Sequence, residues 1–177
     1  MDIVLKIIII LACVAVFMFA CKSVFPDVKT ARNVDIKKYM GTWHEIARFD
    51  TSFQKGKYNS QAFYKLNPDG TVSITNSATD QNGRKVSASA RGYAPDPKDF
   101  SKLRISFFRP FYANYFILEL DEDYQWALVG GNGKKYLWIL SRTPQMDGET
   151  LNKIIELAKT RGYDTSKLLF NKDSTPK

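Results

Sequence analysis

The chain has 177 residues, long enough for one domain with a substantial core and an appended segment. Its two cysteines, Cys13 and Cys21, lie in or beside the apolar N-terminus, so neither a disulfide nor a thiolate metal site is expected in the folded part. The formal net charge of +8 favours either anionic partners or simply a solvated basic surface, and no run of Lys and Arg exceeds two residues.

Residues 7–20 form an unbroken apolar run behind Lys6. It suits a secretory signal and falls short of the ~20 residues of a membrane-spanning helix. The run ends in Met18-Phe19-Ala20-Cys21, which resembles the bacterial lipobox, in which the cysteine is diacylated and the preceding peptide removed. Ile10-Leu11-Ala12-Cys13 is a closer local match but leaves too short an apolar region. The expectation is a lipoprotein signal over 1–20 and a lipid anchor on Cys21. An uncleaved anchor, or an ordinary signal with an incidental cysteine, are the alternatives. Several acyl chains at ~0.8 kcal/mol per buried CH2 hold a protein on a membrane, where one chain alone does so only marginally. Lys22, where an Asp would retain a lipoprotein at the inner membrane, implies export to the outer one. Residues 21–34, with Pro26 and few large apolar side chains, read as a tether.

From residue 35 onward the chain reads as a folded unit to residue 171. A short polar turn leads into Gly41-Thr42-Trp43 and an alternating strand over 41–49. Glycine allows close backbone approach there and the indole fills volume. A polar loop over 51–58 precedes a second strand over 59–66. Asn67-Pro68-Asp69-Gly70 and Asp80-Gln81-Asn82-Gly83 are turn sequences that bracket the third strand. Strands are predicted over 86–94, around 103–107, over 112–120 and 124–129, and over 135–141. Eight strands in hairpin succession, with no crossover long enough for parallel pairing, predict an all-β, eight-stranded antiparallel up-and-down barrel. Eight strands close around one small ligand, and closure removes exposed edges. After Pro144 the period changes. Asp147 can cap a helix whose Leu151, Ile154, Ile155 and Ala158 share one face, and Gly162 ends it. The helix is expected to pack outside the barrel. Residues 167–170 suggest a short ninth strand, and 172–177 a frayed tail.

Gly41-Thr42-Trp43, Asp121-Glu122-Asp123-Tyr124 and Ser141-Arg142-Thr143-Pro144 occur in this order across the eight strands. Together they resemble the three signatures of the lipocalin family, and the stretches 43–49, 106–112 and 136–144 are similar to those of its bacterial outer-membrane members. The resemblance implies that Gly41, Trp43, Asp123, Tyr124 and Arg142 are structural. It also implies that Arg142 lies over Trp43 at a closed end, a cation–π contact of ~0.5–2 kcal/mol. His44, Glu122-Asp123 and Arg109 depart from the family pattern at outer or loop positions.

If Arg142 points into the closed end, the period of two turns Trp138 into the cavity. The expected lining is Ala47 and Phe49 from the first strand and Ala62 and Tyr64 from the second. Ile74 follows, then Ala88 and Ala90, Ile105 and Phe107, and finally Tyr136 with Trp138. Such a wall is apolar, with small side chains that leave room. An acyl chain buried there at ~25 cal/mol per Å2 reaches about micromolar affinity after association costs. Arg48, Lys55, Lys57 and Arg109 are placed near the open end, to meet an anionic headgroup or to solubilise the loops. His44 has parity opposite to Trp43 and is expected to face outward, and no nucleophile–base set is evident. With one histidine and no structured cysteine, no metal or cofactor is expected.

The expected partners are a small lipophilic ligand such as a fatty acid or lysophospholipid, the outer membrane through the N-terminal lipid, and no nucleic acid. A homodimer stays open. The leading function is binding for storage or transport in the cell envelope, without enzymatic activity. Two alternatives stand beside it. One is a lipocalin-fold enzyme, for which Glu45 and Tyr64 are the candidate polar groups. The other is a structural lipoprotein with a filled barrel.

Overall fold

Asn67-Pro68-Asp69-Gly70 folds as its composition demands, with the Gly70 amide donating to the Asn67 carbonyl at 3.0 Å and Gly70 at φ +77°. Asp80 organises the next hairpin, its carboxylate accepting from the amides of Asn82 and Arg84, each at 2.9 Å. Such turns string together eight strands: β1 (Gly41–Phe49), β2 (Tyr58–Leu66), β3 (Val72–Thr79), β4 (Lys85–Tyr93), β5 (Lys102–Phe108), β6 (Phe111–Leu120), β7 (Trp126–Gly130) and β8 (Leu137–Ser141). Each pairs antiparallel with the next, and β1 pairs with both β8 and β2, so the sheet closes. The structure, a computed structural model, describes residues 27–171 and Ser174. The expected signal over 1–20, the anchor Cys21 and most of the 172–177 tail lie outside the described residues.

The polar turn before β1 is one turn of helix, α1 (Ile36–Tyr39), capped by the Asp35 carboxylate, which accepts from the Lys37 amide. Helix α2 (Gly148–Thr160) starts where Asp147 accepts from the Thr150 amide at 2.8 Å. It ends with the Gly162 amide on the Lys159 carbonyl and the Tyr163 amide on the Ala158 carbonyl. Its buried Leu151, Ile154 and Ala158 pack against Ile46, Leu128 and Ile139 on the outside of the barrel. A ninth strand, β9 (Leu168–Phe170), joins the C-terminal half of β1 where β2 has diverged.

Strand β1 contains a bulge that overturns two expectations. Glu45 pairs with Leu140 and Ala47 with Ile139, so Ile46 is an extra residue against β8. Strict alternation holds only up to Glu45. Beyond it Ala47 and Phe49 face outward into the cluster beneath α2, and Arg48 turns inward opposite Trp138. Ala47 and Phe49 therefore do not line the interior, and Arg48 is not a rim cation, because one inserted residue reverses which side each later side chain takes.

The tether is shorter than expected. Val28 packs against the α2 cluster, the Ala31 amide donates to the Ile117 carbonyl at 2.9 Å, and the Thr30 and Ser101 hydroxyls are 2.7 Å apart. Arg161, just past α2, donates to the carboxylate of Glu119 at 2.6 Å and to the carbonyls of Lys29 and Leu118, each at 2.7 Å. Residues 28–34 are thus part of the domain, held by backbone hydrogen bonds and by the side chains of Val28, Ala31 and Val34, which pack on the two core clusters.

Candidate functional site: the barrel cavity

The closed end is built around Trp43, which is fully buried. Its indole N–H donates to the Tyr39 carbonyl at 2.8 Å, and the Tyr39 ring lies 4.9 Å away. The Arg142 guanidinium carbon sits over the indole, 3.8 Å from the Trp43 ring centre. Arg142 donates to three carbonyls, Thr42 at 2.9 Å, Lys38 at 2.7 Å and Tyr124 at 3.2 Å. Gly41 has φ +97°, and a Cβ there would stand 3.4 Å from the guanidinium, so a side chain would be strained by backbone and crowded by Arg142. Tyr124 fastens the same end from outside, its hydroxyl accepting from the Asp35 amide. In the turn before it Asp121 supplies the capping carboxylate, and the exposed Asp123 contributes backbone groups only.

Above this plug the barrel encloses a cavity of about 600 Å3, within the range of small-ligand sites. Ala62, Tyr64, Ile74, Ala88, Ile105, Phe107, Tyr136 and Trp138 border it. Ala90, paired with Ile74, packs against the closed-end cluster instead. His44 does not border the cavity. The lining also takes in groups that period-two reading passed over. Tyr115 enters from β6, Phe53 and Gln54 from the β1–β2 loop, and Ser60 and Asn76 form a polar stripe on β2 and β3. Tyr115 was legible, since it shares parity with the small Ala113; the contribution of a loop folded over the mouth was not.

Two polar groupings divide the interior. On the wall Arg48 donates to Glu45 at 2.9 Å, and Gln54 donates to the same carboxylate at 2.8 Å. Arg48 also donates to the carbonyls of Gln54 and Lys57, and Trp138 donates through its indole to the Gln54 side-chain oxygen at 3.0 Å. These bonds pin the β1–β2 loop against the inside of the mouth. Burial pushes the Glu45 carboxyl above its ordinary value, with Arg48 and Gln54 pulling it partly back. At the floor the Tyr115 hydroxyl lies 2.7 Å from that of Tyr39 and 3.0 Å from that of Tyr64. Burial raises all three phenols, Tyr64 to about 12.

The mouth is aromatic and basic. Phe53, Phe107, Phe108 and Phe111 are more than half exposed, and the Phe108 and Phe111 rings stack at 6.5 Å. Lys57 borders the opening, and exposed Lys55 and Arg109 flank these aromatics in the two loops.

The comparisons with known proteins agree with this geometry. The family model of a lipocalin-like domain matches residues 34–173. The outer membrane lipoprotein Blc of Vibrio cholerae is 36% identical over 158 residues, 88% of this chain and 92% of that protein. Temperature-induced lipocalin-1 of Arabidopsis thaliana is 40% identical over 151 residues, 80% of this chain and 81% of that one. Insecticyanin from the tobacco hornworm Manduca sexta superposes with a TM-score of 0.65 at 23% identity, over 85% of this chain and 91% of its own, which speaks to the fold alone. The Blc relatives place the chain with lipid-anchored proteins of the outer membrane, the localisation that its N-terminus leads one to expect. A closed eight-stranded barrel with Trp43 beneath Arg142, a family match over most of its length and relatives of this identity together show that the chain belongs to the lipocalin family.

Proposed function

We propose that the protein is anchored through Cys21 and binds a single-chain amphiphile, a fatty acid or lysophospholipid, in the barrel cavity, for storage or transport in the cell envelope. The observation that carries this reading is a cavity of about 600 Å3 with a largely apolar wall, a closed floor and a basic, aromatic mouth. Apolar wall area supplies affinity at roughly 25 cal/mol per Å2, and part of it is spent on association, leaving about micromolar binding. The exposed phenylalanines at the rim offer an acyl chain apolar contact as it leaves a membrane. Lys55, Lys57 and Arg109 suit an anionic headgroup that stays at the opening.

Binding rather than catalysis is the reading because neither candidate polar group is paired for acid–base work: each bonds to neighbours that serve the fold, and the Tyr64 hydroxyl meets another phenol rather than a base. Glu45 is held by Arg48 and Gln54, and Tyr64 by Tyr115. Native mass spectrometry of delipidated protein with palmitate, alongside titration with a fluorescent fatty acid, tests the proposal. One saturable site is expected; no saturable binding would rule it out. The same spectra report whether the homodimer left open by the sequence forms.

A further inference from the structure

The three tyrosines at the cavity floor hold one proton more than they can use. Each phenol carries a single O–H. The Tyr39–Tyr115 and Tyr64–Tyr115 contacts, at 2.7 and 3.0 Å, consume two of the three. Tyr39 is completely buried and does not border the cavity. A donor left unmade there would carry the full desolvation penalty, so Tyr39 gives its proton to Tyr115. The spare O–H then falls to Tyr64 or Tyr115, both of which border the cavity. Either arrangement leaves a neutral donor on a residue of the cavity wall, at the floor that a ligand's inner end would reach.

Among the described residues, no free cation accompanies that donor at the floor. Arg142 lies behind Trp43, with its N–H groups committed to the carbonyls of Thr42, Lys38 and Tyr124. The floor therefore suits a neutral oxygen, such as a hydroxyl, carbonyl or ether, better than a carboxylate or phosphate. The raised phenols remain protonated donors at neutral pH. A methyl end pushed against the floor displaces whatever water serves the spare proton and replaces nothing, whereas an oxygen restores the bond.

We infer that the floor is a recognition site for an oxygen atom at the buried end of the ligand, so that the barrel favours acyl chains oxygenated near the tail over plain ones. The inference rests on the amphiphile reading above, with the anionic head at the mouth and the tail inward. It narrows the ligand class: an unmodified saturated chain is the weaker partner, and a chain carrying a terminal hydroxyl or carbonyl the better matched one.

The test compares palmitate with ω-hydroxypalmitate on the delipidated full-length protein, by displacement of a fluorescent fatty acid. The second protein is the Tyr39→Phe/Tyr64→Phe/Tyr115→Phe variant, whose phenylalanines keep the rings and leave no hydroxyl stranded. Circular dichroism and a thermal melt report its fold. The affinity ratio of the hydroxylated to the plain acid is expected to fall about threefold to tenfold from wild type to variant, the worth of one neutral hydrogen bond. An unchanged ratio, or equal weakening of both acids, would overturn the inference while leaving the carrier reading intact. If neither acid binds the wild type, the carrier reading itself fails and takes this one with it. Should the triple variant not fold, the wild type alone serves: tighter binding of ω-hydroxypalmitate than of 2-hydroxypalmitate and palmitate supports the inference, and equal or weaker binding of the ω-hydroxy acid overturns it.

Discussion

Arg142 covers Trp43 at 3.8 Å and at the same time draws together the carbonyls of Lys38, Thr42 and Tyr124, residues from α1, β1 and the β6–β7 turn. One side chain thus fastens three separate segments at the closed end. Arg142→Ala removes the cation–π contact and three charge-assisted bonds and is expected to destabilise the domain by about 2–4 kcal/mol in urea unfolding. Arg142→Lys should recover only a minor part, since an ammonium cannot reach three carbonyls in a fork. Equal stability of wild type and the Lys variant would contradict this account.

The bulge at Ile46 separates residues that support the fold from those that meet ligand, and the two sets should respond differently. Ile154→Ala, on the α2 side, opens a cavity and is expected to cost about 2–5 kcal/mol. In folded protein it should leave palmitate affinity unchanged. Trp138→Phe should have the reverse pattern, with a modest stability change and loss of most ligand-induced fluorescence quenching. Chemical denaturation and fluorescence titration on the same samples check both. A large affinity loss in Ile154→Ala would count against the assignment of faces.

Glu45 is an ion-paired carboxylate whose ordinary value of 4.5 is nonetheless raised in the folded state, because burial outweighs Arg48. An acid raised by folding contributes stability that is fully present below its unfolded value and is lost as pH rises through the folded one. The stability of Glu45→Gln relative to wild type should therefore shift in the variant's favour as pH climbs above about 4.5. The absolute offset runs the other way, since the variant leaves the buried Arg48 without its counter-charge. Urea midpoints for both proteins from pH 4 to 8 give the slope, and a gap that moves in the wild type's favour would refute it.

The floor tyrosines act at the alkaline end. Tyr64 is raised from 10.0 to about 12, and Tyr39 and Tyr115 also move upward. These groups stabilise the fold below pH 10 and withdraw that support as pH rises toward 12. Absorbance titration near 295 nm should find tyrosines that ionise only together with loss of near-ultraviolet circular dichroism. Full ionisation of all nine tyrosines near pH 10 in folded protein would be the opposite result.

Much of this architecture was legible along the chain because its signals are local. Asn67-Pro68-Asp69-Gly70 and Asp80 fix hairpins through their own side chains and dihedrals, and Asp147 with Leu151, Ile154 and Ala158 declares a one-faced helix. Trp138 could be turned inward from a single anchor, because β8 runs from Leu137 to Ser141 without a bulge. The failures share a cause. Ile46 is inserted against β8 without a glycine or proline to mark it, so strict alternation puts Ala47 and Phe49 on the wrong face and Arg48 at the rim. Residues 28–34 dock through scattered small apolar side chains and through amides and carbonyls, a combination without a periodic pattern. Tyr39 meets Tyr115 only once the barrel closes, a contact across 76 positions that no local pattern encodes.

The central claim, that the interior of the barrel receives the ligand, is tested most directly by filling it. Ala62→Trp and Ala88→Trp each place an indole in the cavity from a small residue on β2 or β4. Native mass spectrometry of wild type and both variants with palmitate should show a 1:1 complex for the wild type and little or none for the folded variants. Undiminished binding in both would put the ligand elsewhere and contradict the account.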